Sequence, residues 1–109
     1  MASLPAHLQP LLRDVRTALQ ALYGDRLVQL VLYGSQARGD THDESDVDLL
    51  VVLDGPVDPG REIRRMSDIC FELSLRHEVY VSALPVSEEA YASTSSSWLT
   101  NVQSDGVPV

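Results

Sequence analysis

The sequence predicts a single α/β (α+β) domain in which helices flank a small mixed β-sheet. Two observations indicate this class. Amphipathic helical segments alternate with short, apolar, β-branched runs. The chain has 109 residues, a length that suits one hydrophobic core. We therefore expect one domain over residues 1–109, with a leading helix in 1–24, a core in 27–84, and a C-terminal helical segment and tail in 85–109.

The first half of the chain contains the clearest periodic segments. Residues 5–23 repeat apolar side chains every three or four positions, which predicts an amphipathic helix that Gly24 ends. The apolar runs LVQLVLY at 27–33 and DVDLLVVL at 46–53 predict two buried strands. A second helix is predicted over 60–76, where one face is apolar and the other carries paired charges.

The second half is predicted from shorter patterns. HEVYVSAL at 77–84 alternates well enough for a third strand. Pro85 and a capping Ser87 then predict a short helix. The polar run at 93–97 is typical of a loop, and a brief helix over 98–102 is expected before the tail.

The charge balance excludes some functions. The formal net charge is −8, and all eight basic residues are Arg. We expect no direct nucleic-acid binding, because that affinity depends largely on cations meeting phosphates. A basic protein partner suits this charge. The absence of Lys removes Schiff-base chemistry and the P-loop lysine.

The remaining composition predicts an ordinary globular domain. Cys70 is the single cysteine, so no internal disulfide forms, and its helical apolar position predicts a core residue. No apolar run approaches the length of a membrane span, and no membrane association is expected. The N-terminus lacks a signal-peptide pattern, so a cytoplasmic location is the default expectation.

Two acidic residues stand at the start of the second strand. Side chains alternate along a strand, so Asp46 and Asp48 share one face, with Cα atoms roughly 7 Å apart. Two neighbouring carboxylates at the edge of a core repel each other and are costly to desolvate. A divalent cation relieves both problems, and such oxygen ligands suit Mg²⁺. The alternative is a pair of acids at a frayed strand end, and the pair alone does not decide between them.

The glycine at the end of the first strand favours the metal interpretation. Gly34 and Ser35 precede a predicted helical turn at 36–38, which would direct free backbone N–H groups and a hydroxyl at a bound anion. A Cβ at position 34 would obstruct a phosphate. Arg38 is suited either to contact phosphate or to pair with a nearby Asp. A phosphate cradle beside a metal-binding pair describes a nucleoside triphosphate site.

These residues also carry a family resemblance. Gly34 and Ser35, ten intervening residues, and then Asp46-Val47-Asp48 resemble the signature of the polymerase-β-type nucleotidyltransferase superfamily. The strings GSQARGD and SDVDLLVV resemble the minimal nucleotidyltransferase (MNT) family, short bacterial and archaeal proteins. The motif covers residues 33–53, and the order of the other elements agrees. The resemblance implies a nucleotidyltransferase fold with its catalytic core in residues 27–84.

The resemblance also implies the chemistry. It implies transfer of AMP from ATP to a hydroxyl, with Asp46 and Asp48 as catalytic ligands of Mg²⁺. Gly34 and Ser35 would hold phosphates. The family places a third carboxylate on a later strand, and HEVYVS offers Glu78 as a further catalytic and metal-binding residue. That assignment depends on the strand register, since a slip of one residue turns the side chain to the other face. Its alternative is a surface acid.

Small members of the family this chain resembles frequently act with a HEPN-domain protein in toxin–antitoxin pairs. The resemblance therefore implies an antitoxin that neutralises a HEPN-type partner by adding AMP to a tyrosine hydroxyl (AMPylation). Two alternatives stay open. One is a non-catalytic binding module that masks its partner. The other is an adenylyltransferase that acts on a small molecule. The negative charge of the chain suits the AMP-transferring antitoxin, since it aids association with a basic partner.

Overall fold

The structure is a computed structural model, and it describes residues 6–33, 46–93 and 106–109. Three helices and four strands are present in these ranges. In chain order they are α1 (Gln9–Tyr23), β1 (Leu27–Tyr33), β2 (Val47–Leu53), α2 (Pro59–His77), β3 (Val81–Ser87), α3 (Glu88–Ser93) and β4 (Val107–Pro108). Short 3₁₀ turns precede and follow α1. Within the described ranges, no helix combines the length and the apolar character that a membrane crossing requires.

The four strands form one mixed sheet in the order β3-β2-β1-β4. β1 runs antiparallel to β2 and to β4, whereas β2 and β3 are parallel. The parallel pair is joined by α2, as expected because parallel strands need a long crossover connection. The predicted mixed sheet with flanking helices is confirmed.

The central strand β2 is buried on both of its faces. Every residue of β2 except Asp48 is buried. Its odd-numbered residues belong to the larger core, which α1 and α2 cover. Leu50 and Val52 pack with Val31 in a smaller cluster on the opposite face, where Tyr91 of α3 contributes. The two faces of the sheet therefore differ, and the side of β2 that carries Asp48 has the smaller cover.

The leading helix follows the predicted pattern. Its buried side chains are Leu11, Leu12, Val15, Leu19 and Tyr23. Gly24 ends α1 with φ of +55° and ψ of −126°, a backbone conformation that residues other than glycine rarely adopt. A Cβ at this position would meet no atom within 4 Å, so backbone conformation rather than space requires the glycine.

The second helix is longer than predicted, and this changes the third strand. Asp58 caps α2 by accepting a hydrogen bond from the Arg61 amide at 3.4 Å. At the other end, Glu78 terminates the helix in the left-handed conformation and donates its amide to the Ser74 carbonyl. Ser74 Oγ then accepts the amide of Val81 at 2.9 Å. The predicted strand at 77–84 is therefore wrong in its bounds, because the helix cap occupies the residues where it was expected to begin.

The last elements were also only partly predicted. Ser87 caps α3 as expected, since its Oγ accepts the Ala90 amide at 3.1 Å. Pro85 lies inside β3 rather than after it, which an edge strand tolerates. The predicted helix at 98–102 lies outside the described residues. The predicted tail instead contains β4, whose neighbour Val109 donates its amide to the Leu30 carbonyl at 2.8 Å.

A buried carboxylate connects α1 to α2. Glu62 has only 3% of its surface exposed. Its Oε1 accepts hydrogen bonds from the Tyr23 hydroxyl at 3.0 Å and from Arg65 Nη1 at 3.3 Å. Arg26 Nη1 lies 3.9 Å from Oε2. Burial, and then the hydrogen bond to Glu62, raises the pKa of Tyr23 to about 12. The hydroxyl therefore stays protonated at neutral pH and keeps donating.

This cluster generates a prediction about stability. Tyr23→Phe removes one donor and leaves a buried carboxylate with fewer hydrogen bonds, which should lower the free energy of unfolding by about 1–3 kcal/mol. Urea denaturation measures the change. Tyr80→Phe is the matched control, because Tyr80 is 65% exposed and its change should stay within about 0.5 kcal/mol. Equal losses in the two variants would contradict the role of the Glu62 cluster.

Candidate functional site

The two predicted metal ligands lie at the start of the central strand. Asp46 is exposed and directly precedes β2, and Asp48 is half-buried within it. Between them, Val47 is buried in the larger core, and its amide donates to the Tyr80 carbonyl at 2.8 Å. Because Val47 points into that core, strand alternation directs both carboxylates to the opposite face of the sheet. The structure thus brings the pair together on one face, as predicted.

Asp48 has a neighbour on each side in the sheet. Tyr33 of β1 is its antiparallel partner, and Ser82 of β3 is its parallel partner. Tyr33 is half-buried and packs against the smaller apolar cluster. In the sheet, Asp48 therefore lies between Tyr33 and Ser82.

The electrostatics of the pair favour a bound cation. Burial, and then the negative charge of Asp46, raises the pKa of Asp48 above its usual range. Burial and the charge of Asp48 raise the pKa of Tyr33. Both effects show that negative charge accumulates here in a partly desolvated place. Two carboxylates in this setting fit Mg²⁺, which takes one or two carboxylates and keeps positions for water and phosphate oxygens.

The predicted phosphate-binding residues cannot be placed. Gly34, Ser35 and Arg38 lie in the segment 34–45, outside the described residues. Their roles stay predictions based on the sequence.

Glu78 does not lie on the strand where it was predicted. It was expected on the third strand, but it is the exposed C-terminal cap of α2, with φ of +55° and ψ of +41°. Asp46, Asp48 and Glu78 all belong to the described part of the chain, and in that part no three His, Cys, Asp or Glu side chains form a group able to hold a metal. The predicted position of Glu78 on a strand is therefore wrong. Its role as a third ligand stays a prediction without that support.

Sequence reasoning missed Ser82 as a neighbour of the pair. Its signal in the sequence is weak, because a lone Ser in VYVSAL has no special pattern. Only the β2–β3 register identifies it. That register depends on where α2 ends, and the left-handed Glu78 sets the end of α2.

A separate groove lies between α2 and β3. It encloses about 570 Å³, and its walls include Met66, Cys70, Phe71 and Leu75. Phe71 and Leu75 are 68% and 66% exposed. Met66 and Cys70 contact the larger core, on the face of the sheet that α2 covers. Neither Asp46 nor Asp48 lines the groove, but Ser82, the sheet neighbour of Asp48, does.

The raised pKa of Asp48 predicts a pH-dependent effect on stability. A carboxyl that binds its proton more tightly in the folded state opposes folding when it ionises. In buffer with a chelator, Asp48→Asn should therefore raise the melting temperature at neutral pH. This gain should shrink as the pH falls through the folded-state pKa, and vanish below 3.8, the ordinary value for Asp. Thermal unfolding monitored by circular dichroism at several pH values measures it.

The matched control is Asp54→Asn. Asp54 is exposed just beyond the other end of β2, so this variant reports the effect of the same substitution away from the pair. An equal gain in both variants, or a gain for Asp48→Asn that persists below pH 3.8, would contradict the raised pKa of Asp48.

Comparison with known proteins places this geometry in a family. A family model for the nucleotidyltransferase domain matches residues 12–103. One relative from Methanocaldococcus jannaschii, named as a candidate protein adenylyltransferase, is 38% identical over 80 residues, which cover 73% of this chain and 74% of that protein. A second protein of that organism with the same description is 27% identical over 100 residues, or 91% of this chain and 95% of that protein.

A solved structure agrees with these relatives at the level of the fold. The crystal structure described as a toxin–antitoxin with AMP-PNP aligns with a TM-score of 0.61, over 87% of this chain and 69% of that chain. At 19% sequence identity this likeness shows a shared fold. The matched family model spans most of the sequence and includes both carboxylates at the start of β2. The chain therefore belongs to the nucleotidyltransferase domain family, and it is an enzyme of the nucleotidyl-transfer class.

Proposed function

We propose that this protein transfers AMP from ATP to a hydroxyl of a partner protein and so acts as the antitoxin of a toxin–antitoxin pair. The observation that carries the proposal is the pair Asp46 and Asp48, held on one open face at the start of β2 in a nucleotidyltransferase-family chain. The relatives named as protein adenylyltransferases support a protein acceptor. The toxin–antitoxin description of the structural neighbour supports the biological setting.

The proposed step is a single displacement at phosphorus. The acceptor oxygen forms a bond to the α-phosphorus of ATP while the bond from that phosphorus to the α–β bridging oxygen breaks. Pyrophosphate leaves, and the proton of the acceptor hydroxyl passes to solvent or to a base. Bound Mg²⁺ would neutralise the triphosphate and stabilise the entering and leaving oxygens.

Five residues of the chain have a defined task in this proposal. Asp46 and Asp48 hold Mg²⁺ through their carboxylate oxygens. Gly34 and Ser35 bind the β- and γ-phosphates through backbone amides and the hydroxyl, which fits their place at the end of β1. Arg38 contacts a phosphate with its planar guanidinium. The end of β1 pairs with the start of β2 at Tyr33 and Asp48. This pairing would set the distance between the phosphate-binding residues and the metal-binding carboxylates.

The partner we propose is a HEPN-type protein. The family resemblance supports this partner, and the net charge of −8 suits a basic surface of the kind that binds RNA. The proposed location, the cytoplasm, is where ATP and such a partner meet.

The experiment is a transfer assay with α-labelled ATP and Mg²⁺. The purified protein is incubated alone and with the product of the neighbouring gene, and the proteins are resolved by mass. We expect label on the partner. Asp46→Asn and Asp48→Asn should each lower the rate about a hundredfold or more, because the metal supplies several kcal/mol of transition-state stabilisation. Asp54→Asn, at the other end of β2, should retain the rate and is the matched control.

The results also separate a second candidate, a binding module that silences its partner by covering it. One observation favours it: no third carboxylate joins Asp46 and Asp48 within the described ranges. Neutralisation that survives the double variant Asp46→Asn with Asp48→Asn would support masking. Label on a small acceptor instead of the partner would support the small-molecule alternative. Transfer retained by the double variant would contradict the metal assignment itself.

A further inference from the structure

An uncharged apolar groove lies along the edge of the sheet, between α2 and β3. Within the described ranges, none of the residues that line it is charged, although the chain as a whole has a net charge of −8. Four of the five large apolar side chains that are exposed in these ranges line it: Ile63, Phe71, Leu75 and Tyr80. Monomeric proteins rarely expose contiguous apolar patches larger than a few hundred Å². The groove is therefore a candidate interaction surface.

The backbone of β3 does not suit the addition of another strand, although β3 lies at the edge of the sheet. The Val81 amide donates to Ser74 Oγ of α2 at 2.9 Å, so it points away from β2 and already has a partner. Pro85 has the same orientation by strand alternation and carries no N–H. An edge with so few free donors pairs poorly with an extended peptide. The occupant of the groove therefore has to bind through side chains.

The groove has the features of a surface that binds a copy of itself. Phe71 and Leu75 project from consecutive turns of α2, and each is about two-thirds exposed. Beside them lies the cavity of about 570 Å³, whose walls include the buried side chains of Met66 and Val81. A two-fold interface uses the same patch on both copies, so the patch needs both a projecting side chain and a recess. This groove has both.

The charges around the groove also favour a second copy as its occupant. A basic partner would be attracted by acidic side chains, and the groove lining has none within the described ranges. The exposed stripe of α2 next to Phe71 and Leu75 carries both signs and sums to zero, since it consists of Arg64, Asp68, Glu72 and Arg76. Two copies can therefore meet at this face without placing like-charged surfaces against each other, despite the net charge of −8 on each chain.

The exposed apolar area is sufficient for a dimer of modest affinity. Aromatic side chains offer roughly 150–250 Å² each, so the four exposed side chains of the groove together present roughly 400 Å² per copy. Two copies would bury roughly 800 Å² of apolar surface, which is half of the roughly 1,600 Å² that a standard interface buries. The polar stripe of α2 would form the rim around this apolar centre.

We propose that the groove between α2 and β3 is a homodimer interface, in which Phe71 of each copy enters the groove of the other across a two-fold axis. This inference is independent of the proposed function. The interface lies close to the carboxylate pair, because Tyr80 lines the groove and its carbonyl accepts the Val47 amide at 2.8 Å. Val47 stands between Asp46 and Asp48, so the second copy contacts the residue that holds the backbone of both carboxylates.

The test is sedimentation equilibrium of the purified protein over a range of concentrations. We expect the mass to rise from 12.0 kDa, that of one chain, towards twice this value. Phe71→Arg should weaken the dimer about tenfold or more, because it places a charge in an apolar interface. It also lowers the net negative charge, so general repulsion between the copies cannot explain the loss. Val28→Arg, at an exposed apolar position outside the groove, is the matched control and should leave the dimer unchanged.

Salt and hydrogen exchange provide two readouts on the unsubstituted protein. Added NaCl should strengthen the dimer, because it screens the repulsion between two acidic chains whose contact surface is uncharged. Amide exchange should slow with rising protein concentration in the second half of α2 and the first half of β3, and it should not change in α1. Slower exchange confined to another surface, or equal weakening by Phe71→Arg and Val28→Arg, would overturn the proposal.

A monomer at every concentration would also overturn it. Slower exchange in α2 and β3 only after the proposed toxin partner is added would then assign the groove to that partner. The double variant Asp46→Asn with Asp48→Asn should still dimerise, since neither residue lines the groove. AMP transfer by a monomer would contradict this inference alone, and dimerisation without transfer to any acceptor would contradict the proposed function alone.

Discussion

Burial of the central strand β2 on both of its faces is the constraint on which the rest of the structure depends. Its odd-numbered residues enter the larger core under α1 and α2, and Leu50 and Val52 enter the smaller cluster. A slip of one residue would exchange these two sets, so the register is strongly determined. Asp48 continues the row of Leu50 and Val52 to the point where their apolar cover ends. The site is the polar end of an otherwise apolar row.

Different helices cover the two faces of the sheet. On the larger face, α2 crosses from β2 to β3 and is joined to α1 through the buried Glu62, which Tyr23 and Arg65 satisfy. These contacts anchor the crossover that makes β3 parallel to β2. On the other face, the short α3 covers part of the sheet through Tyr91. Within the described ranges, this face of the sheet has the smaller apolar cover.

The charge of the site explains why the fold keeps it at the edge of the core. Burial, and then the charge of Asp46, raises the pKa of Asp48, so the protein without metal holds the ionised Asp48 carboxylate in an unfavourable position. In the proposed function, a cation bound with a triphosphate would relieve this repulsion. Membership of the nucleotidyltransferase family agrees with that chemistry.

The sequence by itself determined the class of fold, the strands at 27–33 and 46–53 and the pairing of Asp46 with Asp48 on one face, because local periodicity encodes these features. It did not determine the start of β3, because α2 continues to His77, which contacts Asp14 of α1, and Glu78 caps the helix. Only the tertiary structure decided that Ser82 neighbours Asp48, since strand register depends on contacts between residues far apart in the chain.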